Sequence, residues 1–210
     1  MKHRAHRRLH SYEPPNKSRE IGEILNHNIS IIGPASEEIA RILEIEPTDL
    51  ESADIALFIV SAVSGFSDEV TKGWEFAREH YIPSLIAIVD LDKSEIDFDD
   101  MAAIVGKTLD PVVTPYLVLH SDEGFPTALI NLATLGITDY SLGLRKSLES
   151  EPEHRELVEP FREEFLEAME VGGEDGFEAG VLFPAIPLAT HIKLGVSEIR
   201  EYLDRNPSLG

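Results

Sequence analysis

The chain of 210 residues contains no cysteine, which excludes disulfides, thiolate metal sites and thiol nucleophiles and leaves a reducing compartment as the natural expectation. Apolar runs long enough to cross a bilayer are also missing, and the basic N-terminus lacks the apolar core of a signal peptide, so the expected location is the cytoplasm. Basic residues are scarce: 18 Lys and Arg stand against 39 Asp and Glu, a formal net charge of −21. Six of those bases, Lys2, Arg4, Arg7, Arg8, Lys17 and Arg19, fall in residues 1–19 with Glu13 as the single acid there, so the remainder is more acidic still. Such a body repels nucleic acid and no DNA partner is expected, whereas the short arm suits RNA phosphates or an acidic protein, with Arg4, Arg7 and Arg8 as contact candidates. The competing reading of equal weight is a disordered terminus. His3, His6 and His10 have no carboxylate or thiolate partners nearby and are not expected to hold a metal.

What is present is organised around residues 53–92. Ile55–Val60 is a continuous apolar run, short and β-branched enough for a strand buried on both faces. Gly65 punctuates it, Asp68–His80 carries Val70, Trp74 and Ala77 at helical spacing, and Ile82-Pro83 leads to a second apolar run, Leu85–Val89. A strand-helix-strand unit of this kind pairs its strands in parallel through a right-handed crossover. Trp74 is expected in the core, with a half-exposed partner surface as the alternative.

Upstream, Ser18–His27 reads as a short helix and Asn28–Ile32 as a strand followed at once by Gly33-Pro34. A phosphate-wrapping loop would stand here, with its amides and a lysine supplying the positive field. Gly-x-x-x-x-Gly-Lys-Ser/Thr is absent. Ser36 is expected to cap a helix containing Ile39, Ile42 and Leu43, and Glu37 and Glu38 place carboxylates beside the amides a phosphate would use. A carboxylate about 4 Å from a phosphate charge costs roughly 4 kcal/mol at an effective dielectric near 20. Only Glu44–Ser52 separates this helix from the strand at Ile55, so the strand at Ile29 is expected at a sheet edge, covered by the arm or a second subunit.

Downstream, Asp90, Asp92, Glu95, Asp97, Asp99 and Asp100 fail the calcium-loop pattern, with Glu95 at the glycine position and Met101 at the closing glutamate position. Asp97–Leu109 reads as a helix, Val112–Leu119 as a strand and Gly124–Leu135 as a further extended piece and turn. In the acidic stretch 149–178, Phe161, Phe165, Leu166 and Met169 have helical spacing and are expected to face the core, with Gly172-Gly173 closing the helix. Val181–Leu188 reads as a last strand interrupted by Pro184 and Pro187, and Val196–Leu203 as a final helix. Ser61 has no histidine partner, and His80, His120, His154 and His191 show no ligand spacing, so no catalytic set can be named.

The segment Ala53-Asp54-Ile55-Ala56-Leu57-Phe58-Ile59-Val60-Ser61-Ala62-Val63-Ser64-Gly65, then Ile82-Pro83 and Leu85–Asp92, resembles the GTPase domain of elongation factor G and the ribosomal-protection proteins. His27–Ile32 resembles that family's first strand and Glu38–Leu43 the helix after its phosphate loop. Asp97-Phe98-Asp99, Val112–Leu119 and Gly124-Phe125 resemble the helix and start of its inserted lobe, and Gly195-Val196 through Pro207-Ser208 its last helix. The resemblance implies an α/β fold, a reduced P-loop-NTPase-like and mostly parallel sheet flanked by helices, with a small α+β lobe inserted at about 111–178. Residues 1–19 then form an arm and 20–210 the domain.

Departures from that family define the expected function. At the phosphate site, Gly33, Ser36, Glu37 and Glu38 replace the Gly-Lys-Thr, and no room remains for the first switch loop or the Asp-x-x-Gly motif. Val89-Asp90-Leu91-Asp92 replaces the Asn-Lys-x-Asp guanine motif and keeps only Asp92, expected to be an exposed loop carboxylate, a vestige of a guanine contact. Leu188-Ala189-Thr190 stands where the family has a base-contacting Gly-Ser-Ala. Phosphoryl transfer depends on positioning and charge neutralisation by these parts. The expectation is a pseudo-GTPase without cofactor or metal, acting as a binding or regulatory module on a protein partner or a translation component such as the ribosome. The alternatives are a small-ligand protein or enzyme reusing the crevice at the strand ends, and a homo-oligomer formed through the edge strand.

Overall fold

A computed structural model describes residues 27–142 and 145–205. The proposed helix at 18–27, the arm with Arg4, Arg7 and Arg8, and His3, His6 and His10 lie outside the described residues, apart from His27 itself.

The organising unit is a parallel pair, β2 (Ile55–Ser61) and β3 (Ser84–Val89), joined by α2 (Asp68–Glu79). Its strands read as unbroken apolar runs because both faces are covered. Ala56, Phe58 and Val60 of β2 and Ile86 and Ile88 of β3 join α2 and α3 (Phe98–Thr108) in one cluster. The alternate residues Ile55, Leu57, Ile59, Leu85 and Ala87 join α1 (Ser36–Leu43) and α5 (Val196–Leu203) in another. The period-two alternation of a strand thus divides one hydrophobic run between two helical layers. Burying side chains the size of Phe58 or Ile86 contributes about 1.5–3 kcal/mol each. Ser67 starts α2, its hydroxyl accepting from the Val70 amide at 3.2 Å.

Two further parallel strands complete this sheet, β1 (Ile29–Ile32) beside β2 and, after a long excursion, β8 (Ala185–Pro187) beside β3, giving the order β1-β2-β3-β8. β8 is shorter than the 181–188 run suggested, because Pro184 and Pro187 supply no amide to a ladder. Its far side is bridged by Val113, whose amide donates to Phe183 O at 2.9 Å and whose carbonyl accepts from Ala185 at 2.8 Å. β1 forms the opposite edge, where the Thr48 amide donates to Ile29 O at 2.8 Å. Arg200 ties the lower layer together by donating to Leu43 O at 2.8 Å, a cation at the C-terminus of α1.

The excursion is an antiparallel sheet, β4 (Tyr116–His120), β5 (Pro126–Asn131), β6 (Gly136–Asp139) and β7 (Lys146–Glu149), followed by the 21-residue α4 (Pro152–Gly172). Its strand begins at Tyr116, later than the expected Val112. α4 ends at Gly172 and Gly173, as its sequence suggested, but its packing is narrower than the spacing implied. Val158 and Phe165 are buried and Met169 is partly so, whereas Phe161 and Leu166 stay 36% and 37% exposed. Leu166 follows the buried Phe165 by one residue, about 100° around the helix, which turns it off the packed stripe.

Candidate functional site

In parallel α/β sheets, ligands bind beyond the carboxyl ends of the strands. Here those ends bring together the β1–α1 turn, the segment after β2, the turn after β3 and the residues after β8.

The first is closed by its own backbone. Only Gly33, Pro34 and Ala35 separate β1 from α1. Gly33 has φ +124°, and a Cβ there would lie 2.4 Å from Ile59 O and 3.0 Å from Val70 Cγ2. Ala35, with φ +57°, is the N-cap rather than Ser36, which begins the helix, and no side chain caps the helix there. Glu37 and Glu38 occupy its first turn and are exposed. The Thr190 hydroxyl donates to Glu38 Oε1 at 3.4 Å, which brings the segment after β8 against α1.

After β2, Ser61 is 1% exposed. Its hydroxyl donates to Asp90 Oδ2 at 2.7 Å and accepts from the amides of Val63 and Ser64, each at 3.2 Å. Asp90 sits at φ +61° after β3, and Lys93 donates to its Oδ1 at 2.7 Å. That hydrogen bond to Lys93 holds the Asp90 carboxyl below its ordinary range, helped by the Ser61 hydroxyl and opposed by partial burial. Ser94 Oγ donates to Ala62 O at 3.2 Å and stitches the same two segments together. Asp92 lies in the short 3-10 turn Leu91–Lys93 and is half-buried, not fully exposed as expected.

A buried serine has no open path to substrate, and a carboxylate held below its ordinary range is too weak a base to take its proton. Ser61, Asp90 and Lys93 instead form a brace that locks the loop after β2 to the turn after β3. In the sequence Ser61 lacks a histidine and Asp90 reads as solvated, so the brace goes unseen. The available signal is a hydroxyl and a carboxylate ending two neighbouring strands, with a lysine three residues beyond.

On the flank of the sheet, α2 and the end of α3 enclose a groove of about 320 Å³ lined in part by Trp74, Glu75, Arg78, Glu79, Leu109 and Asp110. Trp74 is 2% exposed and donates its indole N–H to Asp110 Oδ2 at 2.8 Å, so it is core with a polar tether. Its ring meets Phe58 and Phe183 edge-on at 5.1 and 5.0 Å. Arg78 donates to the same Asp110 oxygen and to Gly180 O, and lies over the Phe183 ring. The polar groups best placed to hold a ligand in this groove are thus bonded to each other.

A third polar centre has no counterpart among the sequence-based candidates. Glu198 of α5 is 1% exposed, and the Tyr140 hydroxyl donates to it, 2.7 Å from each carboxylate oxygen. Arg145 stands 3.6 Å from both Glu198 and Glu201. Burial pushes the Glu198 carboxyl up, opposed by the Tyr140 hydrogen bond and the Arg145 charge. Burial likewise raises the Tyr140 phenol. This cluster joins the antiparallel sheet to the last helix. Among the described residues no group of three or more His, Asp or Glu is placed to hold a metal ion, and no helix is long and apolar enough to cross a membrane.

No protein-family model matches the chain. It is similar to the elongation factor G-like protein of Mycobacterium tuberculosis, in strains CDC 1551 and H37Rv alike, with 25% identity over 180 residues, covering 74% of this chain and 24% of the relative. A crystal structure of a Thermus thermophilus protein superimposes with a TM-score of 0.66 at 27% identity, covering 76% of this chain and 27% of that one. The chain therefore spans about a quarter of the length of the proteins it matches. These similarities support a domain related to translation factors, built as a mixed α/β fold with one parallel and one antiparallel sheet.

Proposed function

We propose that this chain is a G-domain-like module that neither binds nor hydrolyses guanine nucleotide and works by binding a translation component. The observation that carries this reading is the β1–α1 connection. Three residues join strand to helix, and Gly33 is pressed against Ile59 O and Val70. A phosphate cradle needs a run of amides converging on an anion and a lysine reaching over it. In this chain the turn is spent on the reversal itself, and Glu37 and Glu38 follow it.

The guanine end of the crevice supports the same reading. Asp90 and Lys93 neutralise each other at 2.7 Å, and Ser61 is consumed by Asp90, so the polar groups nearest a nucleotide are bonded internally. What is left for function is the outer surface of a fold similar to one segment of a much longer elongation factor G-like protein. Competing with such a factor for its partner follows from that likeness, and Arg4, Arg7 and Arg8 are offered as contact residues on the strength of their charge in an otherwise acidic chain.

Calorimetry with GTP and with GDP in the presence of Mg²⁺ tests the reading. The expected result is no binding at micromolar nucleotide; a micromolar Kd or any turnover would overturn it. Co-sedimentation with ribosomes at low salt, with and without residues 1–19, tests the partner. The full chain is expected to pellet, and absence from the pellet would remove the translation component from the proposal.

A further inference from the structure

Among the described residues α4 is the longest helix, and little of it is covered. Over its 21 residues α4 buries only Val158 and Phe165, and it exposes Leu157 by 73% and Val171 by 85% beside the partly exposed Phe161. Residues 157, 161, 164, 168 and 171 recur at helical spacing, so Leu157, Phe161 and Val171 share one flank with Glu164 and the partly buried Ala168 between them. The helix carries seven glutamates against two arginines. Such a face, with apolar and anionic side chains interleaved, suits a segment that is basic with apolar residues interspersed.

This chain contains one. Residues 1–19 hold Lys2, Arg4, Arg7, Arg8, Lys17 and Arg19, interspersed with Met1, Leu9 and Tyr12. The place where the described chain starts is favourable. β1, β2 and β3 are parallel and begin at one end of the sheet, and neighbouring strands are about 4.8 Å apart, which puts the start of β1 roughly 10 Å from that of β3. At that end Gly180 packs on Tyr81, just before β3, while Gly172 at the end of α4 packs on Leu182. The described chain therefore starts at the end of the molecule where α4 terminates. The 26 residues before His27 can span up to about 85 Å, and α4 is about 32 Å long.

We propose that the basic N-terminal arm docks along the exposed apolar and acidic face of α4 in the same chain, with Arg4, Arg7 and Arg8 among the α4 glutamates. The inference shares Arg4, Arg7 and Arg8 with the proposed function, since an arm docked on α4 must leave it to meet a partner, and its test reads the free chain without nucleotide or ribosome. Arginine is suited to the task because its planar fork matches a carboxylate bidentately. Each contact is weak alone, and the set is sensitive to salt because the face is open to solvent.

The absence of cysteine makes the test clean. A nitroxide attached to Ser11→Cys in the full chain broadens the amide signals of whatever lies near the arm. At low ionic strength the amides of Leu157, Phe161 and Val171 are expected to lose intensity about twofold or more, and to recover near 1 M salt, where the screening length falls to about 3 Å. The triple variant Arg4→Glu, Arg7→Glu, Arg8→Glu is expected to abolish the effect with the β2 amide signals unmoved, and Glu163→Lys with Glu167→Lys provides an independent loss from the other side. Broadening centred away from α4, broadening indifferent to salt and to both variants, or broadening seen only when spin-labelled and isotope-labelled chains are mixed would each overturn the proposal.

Discussion

Ser61 Oγ lies 2.7 Å from Asp90 Oδ2, although the two residues end different strands and are separated by the whole of α2. The bond is the centre of a brace that also includes the amides of Val63 and Ser64 and the Lys93 ammonium. Ser61→Ala removes the acceptor of two amides and a donor to Asp90. It is expected to destabilise the fold by about 1–3 kcal/mol, measured as a shift of the urea midpoint at constant slope; an unchanged midpoint would show that water replaces the hydroxyl without cost.

The Asp90 carboxyl is held low chiefly by its hydrogen bond to Lys93. A carboxyl whose folded value lies below its unfolded one contributes stability above the unfolded value, 3.8, and loses it as the pH falls through the folded value. Asp90→Asn is therefore expected to cost stability at neutral pH and to converge on the parent at the acid limit. Denaturation curves at a series of pH values check the convergence.

Glu198 behaves in the opposite sense. Burial raises its carboxyl above the ordinary 4.5, so the folded state holds a proton that the unfolded state releases, and stability from this group falls as pH rises from 4.5 through the raised value. Glu198→Gln is expected to flatten that decline while keeping an acceptor for Tyr140. Glu198→Ala, which strands the Tyr140 hydroxyl, is expected to cost about 1–3 kcal/mol at neutral pH. Parallel slopes for parent and Gln variant across that range would exclude the assignment.

Gly33→Ala places a Cβ 2.4 Å from Ile59 O at a φ of +124°. The expected loss is about 3 kcal/mol or more from backbone strain and displacement of β2, read as a lower melting temperature. A tolerated alanine would mean that the turn after β1 has more room than its packing indicates.

Trp74 is the single tryptophan, buried and tethered to Asp110. Its fluorescence is expected to be blue-shifted and shielded from acrylamide in the folded chain. Asp110→Ala, which unpairs the indole N–H and one contact of Arg78, is expected to destabilise by about 1–2 kcal/mol. Free quenching of the native chain would contradict the burial.

The strand-helix-strand unit and the final helix were legible because their signals are local: apolar runs, one helical stripe and the turn residues between them. α5 spans the expected Val196–Leu203, and the stop at Gly172-Gly173 also follows from neighbours in the chain. What escaped was non-local. Glu198 looks like any helix-surface glutamate until Tyr140, which precedes it by 58 residues, is brought over it. The pairing of Ser61 with Asp90 depends on two strands being adjacent and in register, with Ser61 opposite Val89. Ser36 lost the cap position because Ala35 takes the left-handed conformation that closes the turn. Phe161, Phe165, Leu166 and Met169 together suggest a helical stripe, yet spacing alone does not say how wide a stripe will be covered.

β8 reaches its place beside β3 only after the antiparallel sheet and α4 have been traversed, so that Ile86 pairs with Ala185. A nascent chain therefore exposes the bare side of β3 throughout the making of everything in between. Long-range closure of this kind slows folding and lengthens the interval in which an unsatisfied strand can recruit the wrong neighbour. Cutting the gene anywhere between β3 and β8 leaves an orphaned ladder, so a soluble fragment is to be sought outside that interval, never within it.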